Sequence, residues 1–150
     1  MARLKVDQLD AVILVAALVV TACGAKTIRL VNDAMAPTLK AGHDYVVNTG
    51  AYDSASPKRA DIILFNINGQ RIARIIGLPA ETITIGAGSV SVDGTALSEP
   101  YLAPGTSTTA PQDSYAVPSG SYFVMYDNRS HLGDSRTLGF VPRSAIEGRL

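Results

Sequence analysis

The stretch Asp61-Ile-Ile-Leu-Phe-Asn66 decides the fold class, because it is a continuous apolar run of strand length. Such a run is typical of a strand that is buried on both faces. Asn68-Gly69 follows it and is a strong signal for a two-residue hairpin turn. The chain then returns through Gln70 to Ile76 as a second strand. Alternation along this strand predicts Arg71, Ala73 and Ile75 on one face, and Ile72, Arg74 and Ile76 on the other.

Short β-branched and aromatic runs, separated by Gly and Pro, surround this hairpin on both sides. This pattern predicts a mainly β domain built from antiparallel sheets around one core. The further predicted strands are residues 26–31, 45–48, 81–85, 89–92 and 121–125, with a last strand at 138–141. Residues 99–113 and 126–136 are predicted to be exposed polar loops.

Composition excludes several function classes. Lysine plus arginine equals aspartate plus glutamate at 13 each, without runs of either sign, so no basic face for nucleic acid is expected. Cys23 is the only cysteine, which rules out an intrachain disulfide and a Cys/His zinc cluster. We expect no metal and no cofactor. Nothing in the pattern indicates an oligomeric state.

The N-terminal segment is apolar from Ala11 to Val20 and uncharged as far as Lys26. We predict a cytoplasmic N-terminus at residues 1–8, a membrane anchor at 9–25 and a β domain at 26–150. The uncharged helix would be shorter than the roughly 30 Å hydrocarbon core, so a cleaved signal stays an alternative, as does a buried soluble helix. Positive charges flank the segment on both sides, so charge leaves its orientation open.

Cys23 offers a different reading of the same segment. Val20-Thr21-Ala22-Cys23 resembles a lipobox, in which the cysteine is lipidated after cleavage. The alternative function is therefore a surface lipoprotein, lipidated at Cys23, with a β domain for binding.

Two groups of polar residues contain the side-chain types of a catalytic or metal site. Ser135, His131 and Asp134, with His43 as a spare, contain the residue types of a catalytic triad, but they are crowded into one loop instead of coming from separate elements. A metal site from His43, Asp44, His131 and Asp134 lacks ligand pairs at helical spacing. We interpret the 126–136 segment as a solvated loop.

Three segments carry a resemblance to the type I signal peptidases, the membrane-anchored serine–lysine endopeptidases that remove signal peptides from exported proteins. Ala34-Met-Ala-Pro-Thr-Leu39 resembles the family pattern Ser-Met-x-Pro-Thr-Leu. Ala73-Arg-Ile-Ile-Gly-Leu-Pro-Ala-Glu81 is similar to Lys-Arg-Val-Ile-Gly-Leu-Pro-Gly-Asp. Asp127-Asn-Arg129 with Asp134-Ser-Arg136 resembles the third family block. The resemblance implies antiparallel sheets with one N-terminal transmembrane helix. It also implies a single-pass protein of the bacterial cytoplasmic membrane with its domain on the outer face, whose partners are signal peptides or preprotein segments and the lipid bilayer.

By this resemblance, Ala34 stands at the nucleophile position and Ala73 at the general-base position. A serine hydroxyl needs a base, and a lysine acts as that base only when burial keeps it neutral. Alanine can perform neither role. Loss of the nucleophile in a serine protease costs on the order of 10⁶ in turnover, and loss of its partner adds little. We therefore predict a chain without catalytic activity that retains at most peptide binding.

The resemblance assigns two further sets of residues. The oxyanion site and substrate groove would be formed by Asn32, Asp33, Met35 and Pro37, where the Asn32 side chain could donate a hydrogen bond to an oxyanion. The structural motif comprises Arg74, Asp127, Asn128, Arg129, Asp134, Ser135 and Arg136.

The chain also departs from the family pattern away from the two alanines. Ala80 and Tyr126 stand at family glycines, Leu132 stands at a family serine, and His43 interrupts a Gly-Asp-x-Val pattern. Deliberate inactivation to trap a substrate would need only the two alanines. The other departures favour a naturally divergent or artificially generated member.

Overall fold

A computed structural model describes residues 24–150. Within this range the chain forms two antiparallel sheets and little helix, which confirms the mainly β, antiparallel part of the predicted fold class. The strands are β1 (Ala25–Arg29), β2 (Asp44–Asn48), β3 (Ile62–Asn66), β4 (Gln70–Gly77), β5 (Thr82–Gly86), β6 (Ser89–Val92), β7 (Thr95–Ala96), β8 (Ser114–Ala116), β9 (Ser121–Met125), β10 (Val141–Pro142) and β11 (Ile146–Arg149). One short helix, α1, spans Ser135–Leu138, and a 3₁₀ turn spans Arg143–Ala145.

The larger sheet has the strand order β1-β2-β11-β3-β4-β9-β10. The predicted hairpin is confirmed, because β3 pairs with β4 from Ile62 opposite Arg74 to Asn66 opposite Gln70. Its turn contains three residues, 67–69, instead of the predicted two. β3 lies in the middle of the sheet, and Ile63, Leu64 and Phe65 are buried. This is the environment that a continuous apolar run predicts.

The smaller sheet has the order β7-β6-β5-β8 and packs around a second apolar cluster, so the prediction of a single core is wrong. β4 contributes to both clusters, since Ala73 and Ile75 belong to the first and Ile76 to the second. Gly77 ends β4 at a close approach between the two sheets. A Cβ added there would lie 2.7 Å from Cδ1 of Ile83 and 3.0 Å from Cβ of Phe123, so this position has no room for a side chain.

The C-terminal part of the chain differs from prediction. The strand predicted at 138–141 is wrong, because Leu138 ends α1 and the chain forms β10 only at Val141–Pro142. α1 begins here because the side chain of Asp134 accepts a hydrogen bond from the backbone N–H of Arg136 at 3.1 Å, which is an N-terminal cap. The last strand is β11, which pairs with β3 and β2.

The predicted exposed loop at 99–113 is partly buried. Thr108 is only 2% exposed, and Glu99 is drawn into an ion pair with Arg129. β8, which was not predicted, follows this segment and pairs with β5. The loop therefore packs onto the body instead of extending into solvent.

The predicted membrane anchor, as far as Cys23, and the predicted lipidation of Cys23 lie outside the described residues. From residue 24 to residue 150, no helix combines the length and the apolar character that crossing a membrane requires.

Candidate functional site

The segment after β1 forms a compact turn, as predicted. The N–H of Ala36 donates to the carbonyl of Asp33 at 3.0 Å, and the N–H of Leu39 donates to the carbonyl of Met35 at 2.9 Å. The peptide bond between Ala36 and Pro37 is cis. Ala34 is 5% exposed, whereas Met35 is fully buried in the core. The turn thus presents the backbone around Ala34 and anchors itself through Met35.

Ala73 lies on β4 and is fully buried, opposite Ile63 of β3. It belongs to the same apolar cluster as Ala34, together with Ile72 and Tyr126. The fold therefore gathers the two alanines into one core region, although they are far apart in sequence. Neither side chain carries a polar atom.

A groove opens beside Ala34. It has a volume of about 140 Å³ and is lined by Ile28, Arg29, Leu30, Val31, Asn32, Ala34, Leu64, Gln70, Arg71, Ile72 and Tyr126. This volume is small beside the roughly 300–1,000 Å³ of a typical small-molecule site. The groove therefore suits small side chains of an extended peptide better than a bulky ligand.

Two strands bring unpaired backbone edges to this groove. Within residues 24–150, β1 is an end strand of its sheet and pairs with β2 alone. β9 joins β4 only from Arg74 onward, so residues 70–73 pair with β3 on one side and with no strand of the described chain on the other. Three strands lie between β1 and β4 in the sheet order, yet both β1 and β4 line the groove, so the sheet curls around it.

Asn32 and Asn128 fix the turn from opposite sides. The Asn32 Oδ1 atom accepts a hydrogen bond from the N–H of Ala34 at 3.1 Å. The N–H of Asn128 donates to the Ala34 carbonyl at 2.9 Å, and its Nδ2 donates to the Asp33 carbonyl at 3.2 Å. Oxyanion donation by Asn32 stays a prediction. In this structure the Asn32 side chain is a hydrogen-bond acceptor, and its partner is the N–H of Ala34.

The other residues predicted for the groove have different surroundings. Asp33 is exposed, and its Oδ1 accepts a hydrogen bond from the N–H of Ala41 at 3.2 Å. Pro37 is exposed and lines a separate cleft of about 540 Å³ that is formed with the loops around Thr106 and Asn128. Met35 belongs to the core. Of the residues predicted around Ala34, only Asn32 shares the groove with it.

Arg74 and Asp127 form a buried pair below the turn. Arg74 Nε donates to Asp127 Oδ1 at 2.9 Å, and Nη2 donates to Oδ2 at 2.6 Å. The same carboxylate accepts the Thr38 hydroxyl, and the Arg74 guanidinium lies 3.9 Å from the centroid of the Tyr101 ring. Burial would lower the pKa of Arg74, but the hydrogen bonds and charge of Asp127 raise it overall. The Asp127 carboxylate therefore connects Thr38 of the turn with Arg74 of β4.

Asp134 and Arg136 form a second buried pair, so the interpretation of this segment as a solvated loop is wrong. Arg136 Nε donates to Asp134 Oδ1 at 2.9 Å, and Nη2 donates to Oδ2 at 2.8 Å, with both side chains fully buried. The Ser135 hydroxyl accepts the N–H of Val124 at 2.9 Å. A polar sequence is buried here because each charge has a partner. Asp134 and Ser135 are committed to these contacts and do not form a triad.

Arg129 and Glu99 form a third pair. Arg129 Nη1 donates to the Thr108 hydroxyl at 2.8 Å, Nη2 donates to Glu99, and Nε donates to the Tyr126 carbonyl at 2.9 Å. Side-chain exposure is 1% for Arg129 and 8% for Glu99. The residues assigned to a structural motif thus hold the segments that border the turn and the groove.

Tyr126 and Arg71 are among the groove residues that the sequence did not predict. Tyr126 contributes a wall of the groove and donates its hydroxyl to the Gly133 carbonyl at 3.3 Å. Burial raises the pKa of the Tyr126 hydroxyl, and the neighbouring Arg71 cation partly opposes this rise. Arg71 lies on the groove as well. Strand alternation places Arg71 on the face of Ala73, and Tyr126 carries no sequence signal beyond standing at a family glycine.

Comparison with known proteins agrees with this geometry. The profile of the family described as signal peptidase, peptidase S26, matches residues 6–150. This chain belongs to the signal peptidase S26 family. The match covers the turn, β4 and the buried pairs together.

Individual members of the signal peptidase S26 family show the extent of the similarity. A signal peptidase I of Leptolyngbya laminosa is 35% identical over 130 residues, which cover 79% of this chain and 63% of the relative. A signal peptidase I of Bacillus caldolyticus is 33% identical over 153 residues, covering 87% of this chain and 84% of the relative. The chain thus spans less than two thirds of the Leptolyngbya protein. A crystal structure of a signal peptidase I from Enterococcus faecalis V583 is 34% identical, with a TM-score of 0.56 over 64% of this chain and 97% of that one.

Proposed function

We propose that this chain binds signal-peptide segments of exported preproteins in the groove beside Ala34 and does not cleave them. The observation that carries this proposal is the combination of a family fold, with its groove and buried pairs in place, and alanines at the two positions where the family resemblance expects the serine nucleophile and the lysine base.

The absence of cleavage follows from the chemistry of the two side chains. A methyl group has no lone pair to attack a carbonyl and no site to accept a proton. The apolar surroundings of Ala73 would suit a neutral lysine, but alanine leaves that position without a base. The Ala34 amide is also engaged by Asn32 at 3.1 Å, so a backbone donor that could stabilise an oxyanion is already in use.

Peptide binding rests on groups that alanine does not remove. β1 and residues 70–73 of β4 offer backbone donors and acceptors along the groove, and an extended peptide can pair with such edges. The shallow groove of about 140 Å³ favours small side chains. A signal-peptide cleavage region carries small residues at alternate positions, which is the pattern that this groove can accept.

The proposal includes a location. The predicted anchor at residues 9–25 ends earlier than predicted, because Ala25 begins β1. Residues 9–23 would anchor the chain as a single pass in the bacterial cytoplasmic membrane, with residues 1–8 inside and the β domain on the outer face. The apolar run from Ala11 to Val20 and the family membership support it. Protease accessibility of the β domain in intact spheroplasts measures the orientation.

Cleavage is tested with the full 150-residue chain in detergent micelles and a fluorogenic signal-peptide substrate. We expect no turnover above the buffer blank. The double substitution Ala34→Ser with Ala73→Lys should produce measurable turnover, whereas either single substitution should stay at the blank, because the two groups act as a unit. Cleavage by the unmodified chain would refute the proposal.

Binding is tested by fluorescence anisotropy with a labelled peptide that contains an Ala-x-Ala segment. Ala34→Leu places a larger side chain at the groove and should weaken binding at least about tenfold by occupying space that the peptide needs. Ala103→Leu, on an exposed loop outside the groove, is the matched control and should leave the affinity unchanged. Thermal melts of both variants distinguish loss of binding from loss of fold.

A further inference from the structure

The lining of the groove beside Ala34 carries positive charge. It includes two arginines, Arg29 and Arg71, and no aspartate or glutamate. Arg29 is exposed and forms an ion pair with Asp44 at 3.1 Å, so it already has a carboxylate partner. Among residues 24–150, no carboxylate forms an ion pair with Arg71. The positive charge of Arg71 is therefore available to an anion that enters the groove.

Arg71 is held by neutral groups of the turn between β3 and β4. Its Nη1 donates to the carbonyl of Ile67 and, at 3.3 Å, to the carbonyl of Gly69. Its charge also opposes the rise that burial causes in the pKa of Tyr126, so the guanidinium lies near the groove wall that this ring forms. These contacts orient Arg71 without neutralising it. A guanidinium in this setting can offer a fork of N–H donors that matches the geometry of a carboxylate.

Two other polar groups of the groove are already engaged. The Asn32 side chain accepts the N–H of Ala34 at 3.1 Å, so that backbone donor is in use. The amide of Gln70 donates to Glu147 at 2.5 Å. An anion in the groove would therefore be bound through Arg71.

The anion that fits this groove is a peptide C-terminus. A groove of about 140 Å³ has room for small side chains, so the negative charge has to come from the main chain of the peptide. A terminal carboxylate is attached to the same Cα as its side chain. A small terminal residue beside Ala34 therefore brings its charge into the groove whatever the strand register of the rest of the peptide. An internal residue at the same place carries a neutral amide instead.

We infer that Arg71 makes this groove selective for signal peptides that have already been cut, by binding the carboxylate of their small C-terminal residue. This inference rests on the proposed function and names the ligand class. The preferred ligand is a released peptide that ends in Ala-x-Ala with a free carboxylate, over the same segment within an uncut preprotein. Endoproteolysis by a separate enzyme must supply this ligand, because hydrolysis of the peptide bond after the small residue creates the carboxylate.

The experiment measures fluorescence anisotropy of the full chain in detergent micelles with three peptides that share one sequence through the Ala-x-Ala segment. The first ends there as the free acid, the second ends there as an amide, and the third continues for several residues and ends as an amide. The free acid and the amide differ in charge and hardly in shape. We expect the free acid to bind roughly tenfold more tightly than the amide at low salt, with a smaller difference at higher ionic strength. The extended peptide should bind no more tightly than the amide.

Variants assign the preference to Arg71. Arg71→Gln should bring the ratio of acid affinity to amide affinity to about one and leave the amide affinity unchanged, which also shows that the groove is still folded. Arg71→Lys should retain part of the preference, because it keeps the charge and loses the fork of donors. Lys58→Gln removes one positive charge from an exposed position outside the groove and should leave the ratio unchanged, which controls for net charge.

The outcomes separate this inference from the proposed function. Equal binding of the free acid and the amide by the unmodified chain overturns the role of Arg71 and leaves peptide binding intact. A preference for the acid that persists in Arg71→Gln overturns it as well. Tighter binding of the extended peptide than of the free acid overturns the selectivity for cut peptides. Failure of all three peptides to bind overturns the proposed function, and the inference with it.

Discussion

The groove beside Ala34 and the frame of buried ion pairs around it differ in what they retain. The groove has Ala34 at the position expected for the nucleophile, and Ala73, at the position expected for the base, is fully buried in the core beside it. The frame has three arginine–carboxylate pairs, and within residues 24–150 no buried side-chain nitrogen or oxygen lacks a hydrogen-bond partner. The residues that hold the fold around the groove are therefore different from the residues at the expected catalytic positions.

Removing one carboxylate of the frame is the most direct test of whether the buried ion pairs stabilise the fold. Asp134→Ala leaves the Arg136 cation buried without its partner, and it also removes the cap of α1 and the acceptor of the Tyr126 N–H. We expect a loss of about 3–5 kcal/mol in the free energy of unfolding, measured by urea denaturation. Asp44→Ala, at an exposed pair, should cost less than about 0.5 kcal/mol. Similar losses of unfolding free energy in the two variants would show that the buried pair stabilises the fold no more than the exposed pair does.

A glycine at the junction of the two sheets gives a smaller effect. Gly77→Ala places a Cβ within 3.0 Å of Ile83 and Phe123, so the packing between β4 and β5 has to shift. We expect a loss of about 1–3 kcal/mol, with a lower melting temperature by calorimetry. Gly86→Ala is the matched control, because nothing lies within 4 Å of its added Cβ. If the control loses as much stability, packing at Gly77 is not the cause.

The smallest effect concerns pH and a partly exposed pair outside the frame. Arg59 donates two hydrogen bonds to Glu81, and this lowers the pKa of that carboxyl from its ordinary value of 4.5. A carboxyl with a lowered pKa in the folded state contributes stability above its ordinary pKa and loses it as pH falls through the lowered value. Because both side chains are partly exposed, we expect a contribution below about 1 kcal/mol.

The measurement compares the pH dependence of unfolding in three chains. Glu81→Gln should remove this part of the stability loss on acidification, and Arg59→Gln should remove most of it, because the N–H of Leu78 still donates to Glu81 at 2.7 Å in that variant. Substituting both residues should add nothing further to the slope. A slope that is unchanged in Glu81→Gln would assign the acid sensitivity to other carboxyls.

Much of the fold could be predicted because the signals were local. The apolar run at 61–66 and the Asn68-Gly69 turn specify the β3–β4 hairpin without reference to the rest of the chain. β11 was missed because Ile146-Glu-Gly-Arg149 carries almost no alternation, and its place between β2 and β3 depends on partners far away in sequence. Long-range pairing has no local sequence signal.

The candidate site shows the same division. The turn after β1 and the register of β4 were readable from Pro37 and from alternation. The burial of Asp134 was not, because a charged residue in a polar segment looks solvated until the partner that neutralises it is known. Tyr126 was misread for a related reason. Its contribution to the groove arises only when the curled sheet brings it towards β1 and Ala34.

The open backbone edges along the groove have a consequence for timing. An enzyme clears its cleft through turnover, whereas a groove that only binds empties through dissociation. Its occupancy is then an equilibrium set by peptide concentration and by residence time, which in related complexes depends mainly on the rate of leaving. On the proposed function, this chain would act as a reversible receptor. It would compete with a processing enzyme for the same peptides and release them uncleaved.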